Sequence, residues 1–233
     1  MGDVITIDGP EYSGKTTAAS NLAKYLPGYR YISSGNIYRG FAHALLPCTR
    51  EEAAEKAARM LDSIQVVSRE TARGEETIFV NGMPLTKSDL RKPEVNNIMA
   101  EVAGVIALRG KVNAFLLEEA KTNNLVVEGR DMAEVFRDCA FLMFLLLVNR
   151  PEQVRRCQQK YEEEGKRIPT GEEALNHILD RERRDAGHEQ GALQEWPGTI
   201  KIDTTLLNEA EVLYALRFKV EEKIPVESAT TAE

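Results

Sequence analysis

The stretch "VITIDGPEYSGKTTAA", residues 4–19, constrains this chain more than any other. Gly9, Gly14, Lys15 and Thr16 stand at the spacing G-x-x-x-x-G-K-[ST], between an apolar run suited to a strand and a helical pattern. A backbone that wraps an anion with its N–H groups inward needs the unusual dihedrals of glycine. Lysine then reaches the β- and γ-phosphates, the threonine hydroxyl can ligate Mg2+, and the helix starting near Lys15 adds its positive end. Gly9, Pro10, Glu11, Tyr12, Ser13, Gly14, Lys15, Thr16 and Thr17 are therefore the expected nucleotide-phosphate loop, with ATP or GTP as ligand.

Around this loop the pattern is α/β. Five apolar segments read as strands of one parallel sheet covered by helices on both faces: 4–8, 29–33, 125–129, 141–148 and 199–203. Helical patterns separate several of them, including a long one that runs through "IMAEVAGVIALRGKVNAFLLEEA" before the third. Two stretches break the alternation. "SIQVVSRETARGEETIFVNG" reads as two strands about a polar turn, which makes a small β-rich insert over about 58–95. Residues 152–190 are charge-dominated and read as helix, Gly/Pro turn, helix, the pattern of a movable lid. The 233 residues suit a single domain carrying both insertions.

Bulk properties narrow the partners. The net charge of −7 gives no general attraction to nucleic acid, so an anionic ligand needs a local basic cluster. The 3 cysteines, Cys48, Cys139 and Cys157, form no C-x-x-C pair and suggest neither a disulfide framework nor a zinc site. The longest apolar run, "AFLMFLLLV", is too short to span a bilayer, and the N-terminus enters a strand at once, so a cytosolic protein is expected.

Among phosphate-loop proteins, a GTPase switch needs D-x-x-G, and no aspartate here has glycine three positions on. "TKSD" at 86–89 imitates a guanine-reading motif but precedes the strand it should follow. A small-molecule kinase remains. An acceptor that is itself a phosphate is largely a dianion at neutral pH, so it needs cationic neutralisation rather than a general base. A hydroxyl acceptor needs a positioned carboxylate. "EGRDM" at 128–132 closes a strand and puts Glu128, Arg130 and Asp131 at the ligand edge: Glu128 for Mg2+, Arg130 for phosphate, Asp131 for a donor group of the acceptor or as a base. "DRERRD" at 180–185 places Arg181 and Arg184 on one helix face, and Arg155 and Arg156 stand at the other end of the same segment.

The combination of "ITIDGPEYSGKTT", "SSGNIYR", an insert closing in "LRKPEV", "LR" at 108–109, "EGRDM", "RERRD" and "IDTT" resembles the bacterial cytidylate kinases, from the first strand to about Leu207. The resemblance implies a five-stranded nucleoside monophosphate kinase core and transfer from Mg-ATP to CMP or dCMP; a monomer is expected. It implies that Ser34, Arg39, Arg109, Arg130, Asp131 and Asp185 bind CMP. Arg39 and Arg130 would take its phosphate, Arg109 and Asp131 its cytosine, and Asp185 its ribose. Lys15, Arg130, Arg181 and Arg184 would serve transfer, and Thr16 and Glu128 the Mg2+. Four positions depart from the family pattern: Ser33 and Glu128 each replace an aspartate, Ala100 a serine near the cytosine amino group, and His188 a lid arginine. The last two imply a weaker preference for CMP over UMP, or lower turnover. The residues alone also leave open a kinase of another small acceptor and a regulatory nucleotide-binding protein.

Overall fold

The computed structural model describes residues 1–72, 74–186 and 193–223, residues 185 and 186 by backbone alone. In chain order the elements are β1 (Val4–Asp8), α1 (Lys15–Tyr25), β2 (Tyr29–Ser33), α2 (Ser34–Leu45), α3 (Arg50–Met60), β3 (Val66–Glu70), β4 (Glu76–Val80), β5 (Met83–Leu85) and α4 (Lys87–Leu90). There follow α5 (Pro93–Ala103), α6 (Ile106–Glu119), β6 (Asn124–Gly129), α7 (Met132–Val135), β7 (Leu142–Leu147), α8 (Arg150–Glu163), α9 (Gly171–Ala186), β8 (Ile200–Asp203) and α10 (Glu209–Glu221).

The five expected strands form one all-parallel sheet in the order β2-β6-β1-β7-β8. All five residues of β1 are buried, because side chains on both faces of a central parallel strand are covered. On one face Ile5, Ile7 and Phe144 pack with Leu22 of α1 and Leu216 of α10. On the other, Val4, Ile32 and Val127 pack with residues of α2, α5 and α6 such as Phe41, Ile98 and Leu116. The same core takes in Val66, Ile78 and Val80 of a three-stranded antiparallel sheet, β3-β4-β5. Where register pairs Asp8 with Gly129, the carboxyl ends of β1 and β6 lie side by side, as a ligand site in such a sheet requires.

Two details differ from the sequence reading: the insert carries a third strand, β5, where a turn-rich segment was expected, and the helix before β6 is broken. The long helix before β6 is two helices, because Gly104 caps α5 and Val105 is extended before α6 begins. The break frees the Ala103 carbonyl, which accepts an N–H from Arg109 at 3.0 Å. The "TKSD" stretch is a capping box: Thr86 and Asp89 bond reciprocally at the start of α4, a local structural reason for those residue types.

Candidate active site

The phosphate loop runs from the buried end of β1 to the start of α1. Gly14, with φ +85°, occupies the left-handed region just before α1. A Cβ at Gly9 would lie 2.6 Å from Ser13 Oγ and 2.9 Å from the Leu146 carbonyl, so the loop folds too closely there for any larger residue. Lys15 Nζ donates to the Pro10 carbonyl at 3.1 Å, and burial pushes its amine down to about 8.

The crest of the loop is held from outside, by Gln153 and Thr204, to which sequence reasoning gave no role, and by Arg156, which it had placed only among the arginines of the lid segment. Gln153 Nε2 of α8 donates to the Glu11 carbonyl at 2.8 Å, and Arg156 of the same helix donates to the Tyr12 carbonyl at 3.3 Å. The buried Thr204 hydroxyl, just beyond β8, lies 3.1 Å from the Ser13 carbonyl and 3.0 Å from that of Leu147. "IDTT" carries Thr204 in the sequence, but nothing there says which loop it will meet. Asp8 is a second such residue. Its carboxylate accepts the backbone N–H groups of Met132 and Ala133 at 3.0 and 2.7 Å, which ties β1 to the loop carrying Arg130 and Asp131. Burial pushes the Asp8 carboxyl up to about 7 against these bonds.

Thr16 and Glu128 come together. The Thr16 hydroxyl donates to Glu128 Oε1 at 3.3 Å, and the same oxygen accepts from Ser33 and, at 3.4 Å, from Tyr31. Ser33 and Glu128 are register partners on neighbouring strands, so the short hydroxyl and the longer acid fill one space. Mg2+ prefers a hard-oxygen set in which one or two protein oxygens complement phosphates and water. A hydroxyl and a carboxylate on either side of the phosphate loop's mouth suit that set.

Lys15, Arg39, Arg91, Arg130, Lys160 and Arg181 line one cavity of about 730 Å³. Burial pushes Arg39 down to about 10, with Arg91 and Arg181 adding repulsion, and its Nε makes no hydrogen bond among the described residues. Lys160 is likewise pushed down by burial, then by Arg91 and Arg39. These side chains repel one another in a poorly solvated space, which an incoming polyanion would relieve. Arg91 and Lys160 have no place among the site residues expected from sequence. Arg91 sits inside the quoted "LRKPEV", which was its only signal.

The remaining expected residues divide. Ser34 lines the cavity, and its hydroxyl donates to the Glu128 carbonyl at 3.0 Å. Arg109 and Asp131 also line it, as a buried ion pair with the Arg109 guanidinium 5.6 Å from the Tyr38 ring. Glu11, Tyr12, Gly14, Lys15, Thr16 and Thr17 supply the loop side of the wall. Arg184 is not among the lining residues; its Nε donates to the Asp180 carbonyl one turn back at 3.1 Å. Met99 and Ala103 of α5 reach the cavity, whereas Ala100 between them is buried and does not line it. The Asp185 side chain and His188 lie outside the described residues.

The family model for cytidylate kinase matches residues 5–222. Cytidylate kinases of Streptococcus pneumoniae strains 70585 and Hungary19A-6 are each 30% identical over 223 residues, covering 94% of this chain and 98% of the relative. A crystal structure of an uncharacterized protein from Eubacterium ventriosum ATCC 27560 superposes with a TM-score of 0.50 at 16% identity, covering 95% of this chain and 98% of that one. It supports the fold alone.

Proposed function

The chain belongs to the cytidylate kinase family, and from that premise we propose that it moves the γ-phosphoryl group of Mg-ATP to CMP or dCMP, giving ADP and CDP or dCDP. Family membership makes it a nucleoside monophosphate kinase; the choice of cytidine nucleotides and of Mg-ATP is our reading. The observation that carries it is the gathering of Lys15, Arg39, Arg91, Arg130, Lys160 and Arg181 around a single cavity beside the phosphate loop.

In this reading the phosphate loop and Lys15 hold the donor's phosphates, while Arg39 and Arg130 hold the acceptor's phosphate opposite. Arg181, on α9, neutralises charge on the group in transit. Mg2+, held by Thr16 and Glu128, would neutralise donor phosphate charge. The acceptor phosphate is its own nucleophile, and no side chain has to remove a proton from it. Asp131 is engaged by Arg109, which favours a recognition role over that of a base for a hydroxyl acceptor. A carboxylate suits the exocyclic amine of cytosine, and a guanidinium suits its O2 and N3.

The test is ADP release from Mg-ATP with CMP, dCMP, UMP, AMP, GMP and shikimate as acceptors. Turnover confined to the cytidine nucleotides supports the proposal. Equal or faster turnover with any other acceptor would overturn the cytosine assignment, and no turnover with any of them would favour a nucleotide-binding regulator.

A further inference from the structure

The phosphate loop carries a carboxylate where its chemistry least calls for one. Glu11 is one of the four variable residues between the loop's glycines, and it lines the cavity with Lys15, Arg39, Arg130 and Arg181. One of its oxygens, Oε2, is buried and has no hydrogen-bond partner among the described residues. Its backbone is held in place by Gln153 Nε2 at the Glu11 carbonyl, so the side chain is carried on a braced segment. A carboxylate at that depth persists as an anion only beside compensating charge.

The surroundings supply the charge. Burial pushes the Glu11 carboxyl up, and Arg181, then Arg130, His177 and Lys15, overcome it and hold the group below the ordinary glutamate value. The influence is mutual: Glu11 favours the charged forms of Lys15, Arg39 and Lys160, which burial and neighbouring cations disfavour. Glu11 thus faces the cations that the proposed reaction assigns to phosphates; Glu128 also acts on Lys15 and Arg39, but it stands at the proposed metal side of the site.

We propose that Glu11 is a resident counter-anion of the transfer site, standing where phosphate charge stands during turnover and competing with it for Arg130, Arg181 and Lys15. The inference rests on the reading of this cavity as a phosphate site. Glu11 keeps the arginine cluster electrostatically satisfied between turnovers, and it weakens the hold on polyphosphate products. Its removal therefore strengthens the binding of polyphosphate, whereas loss of a merely structural side chain would weaken it.

Inorganic tripolyphosphate, without nucleoside or acceptor, is the probe, titrated by calorimetry into the wild-type protein, Glu11→Gln and Glu11→Asp. Glu11→Gln should bind it about tenfold tighter, as removal of one charge at close range in a partly buried site predicts. Glu11→Asp retains the charge and should stay within about twofold of wild type on the same argument. In steady state, kcat and KM for ATP should fall together in Glu11→Gln, because products leave a more cationic site more slowly. Unchanged or weaker tripolyphosphate binding in Glu11→Gln overturns the inference, as does equal tightening in both variants, which would point to side-chain size. Tripolyphosphate binding to none of the three proteins overturns the phosphate-site reading as well. A wrong acceptor assignment leaves the tripolyphosphate result untouched.

Discussion

Arg109 and Asp131 form an ion pair in which each side chain keeps only 6% exposure, at the junction of the α5–α6 break and the loop after β6. Little water reaches either charge, so Asp131 depends on Arg109, and Arg109 on Asp131 and the Ala103 carbonyl. Asp131→Ala leaves a buried guanidinium uncompensated and should lower unfolding free energy by about 3–5 kcal/mol, measured by urea denaturation. Asp131→Asn keeps the volume and an acceptor oxygen. It should cost less stability yet lower kcat/KM for CMP at least about tenfold, because in the proposed binding mode the cytosine amine loses a charged partner.

Among the described residues the Lys15 amine donates only to the loop's own Pro10 carbonyl, so its removal spares the packing of β1 and α1. Lys15→Ala should lower kcat by at least about a thousandfold with an unchanged circular dichroism spectrum. Its pKa of about 8 adds a pH test. The charged form binds phosphate, so kcat/KM for ATP should decline as pH rises above about 8, and Lys15→Arg should remove that limb.

Glu128 accepts hydroxyl bonds from Thr16, Ser33 and Tyr31, converging on one oxygen. Glu128→Ala should raise the Mg2+ concentration for half-maximal rate by about 10–100-fold, with a smaller change in KM for CMP. An unchanged Mg2+ requirement, read by titration at fixed ATP, would remove Glu128 from the metal site.

Glu76 is the main polar link from β4 to the start of α2: it accepts Ser33 N–H at 3.0 Å, Asn36 Nδ2 at 2.8 Å and the Ser68 hydroxyl at 2.8 Å. Burial nevertheless pushes its carboxyl up to about 7 from 4.5. Between those values the folded protein binds more protons than the unfolded chain, so this group lowers stability as pH rises through the window, fully so above about 7. Glu76→Gln should be the more stable protein at pH 8 by roughly 1–3 kcal/mol and close to wild type at pH 5, as urea unfolding at the two values will show.

Ala100 is buried between Met99 and Ala103, which both reach the cavity. Ala100 itself does not line that cavity, so the link to the base rests on the family resemblance; on that reading Ala100→Ser should raise the CMP-to-UMP ratio of kcat/KM by about three- to tenfold. No change in that ratio would mean that position 100 has no access to the base.

Local patterns made most of the frame readable. The spacing of Gly9, Gly14 and Lys15 fixes a strand-loop-helix unit by itself, and the apolar runs that became β1, β6 and β7 are continuous because both faces of those strands are buried. The helix break at Gly104–Val105 stayed hidden because α5 and α6 both continue the apolar pattern across it, and the Arg109 bond that satisfies Ala103 is tertiary. Arg91 and Lys160 were illegible for a similar reason. Each is one basic residue in a charged stretch, and only the packing of α4 and α8 about the cavity sets them apart from Arg184. Asp8 and Thr204 act through backbone groups far along the chain, a partnership that residue type alone does not announce.

The distance from Ser13 to Thr204 along the chain has a consequence for biosynthesis. The bond between them spans 191 residues, and Arg156 reaches the same threonine hydroxyl at 3.1 Å. The phosphate loop therefore leaves the ribosome 191 residues before the threonine that braces it. A nascent chain stalled before β8 has its glycines and its lysine but not the threonine that supports the Ser13 carbonyl, so nucleotide affinity should appear abruptly once Thr204 has emerged, rather than grow with chain length.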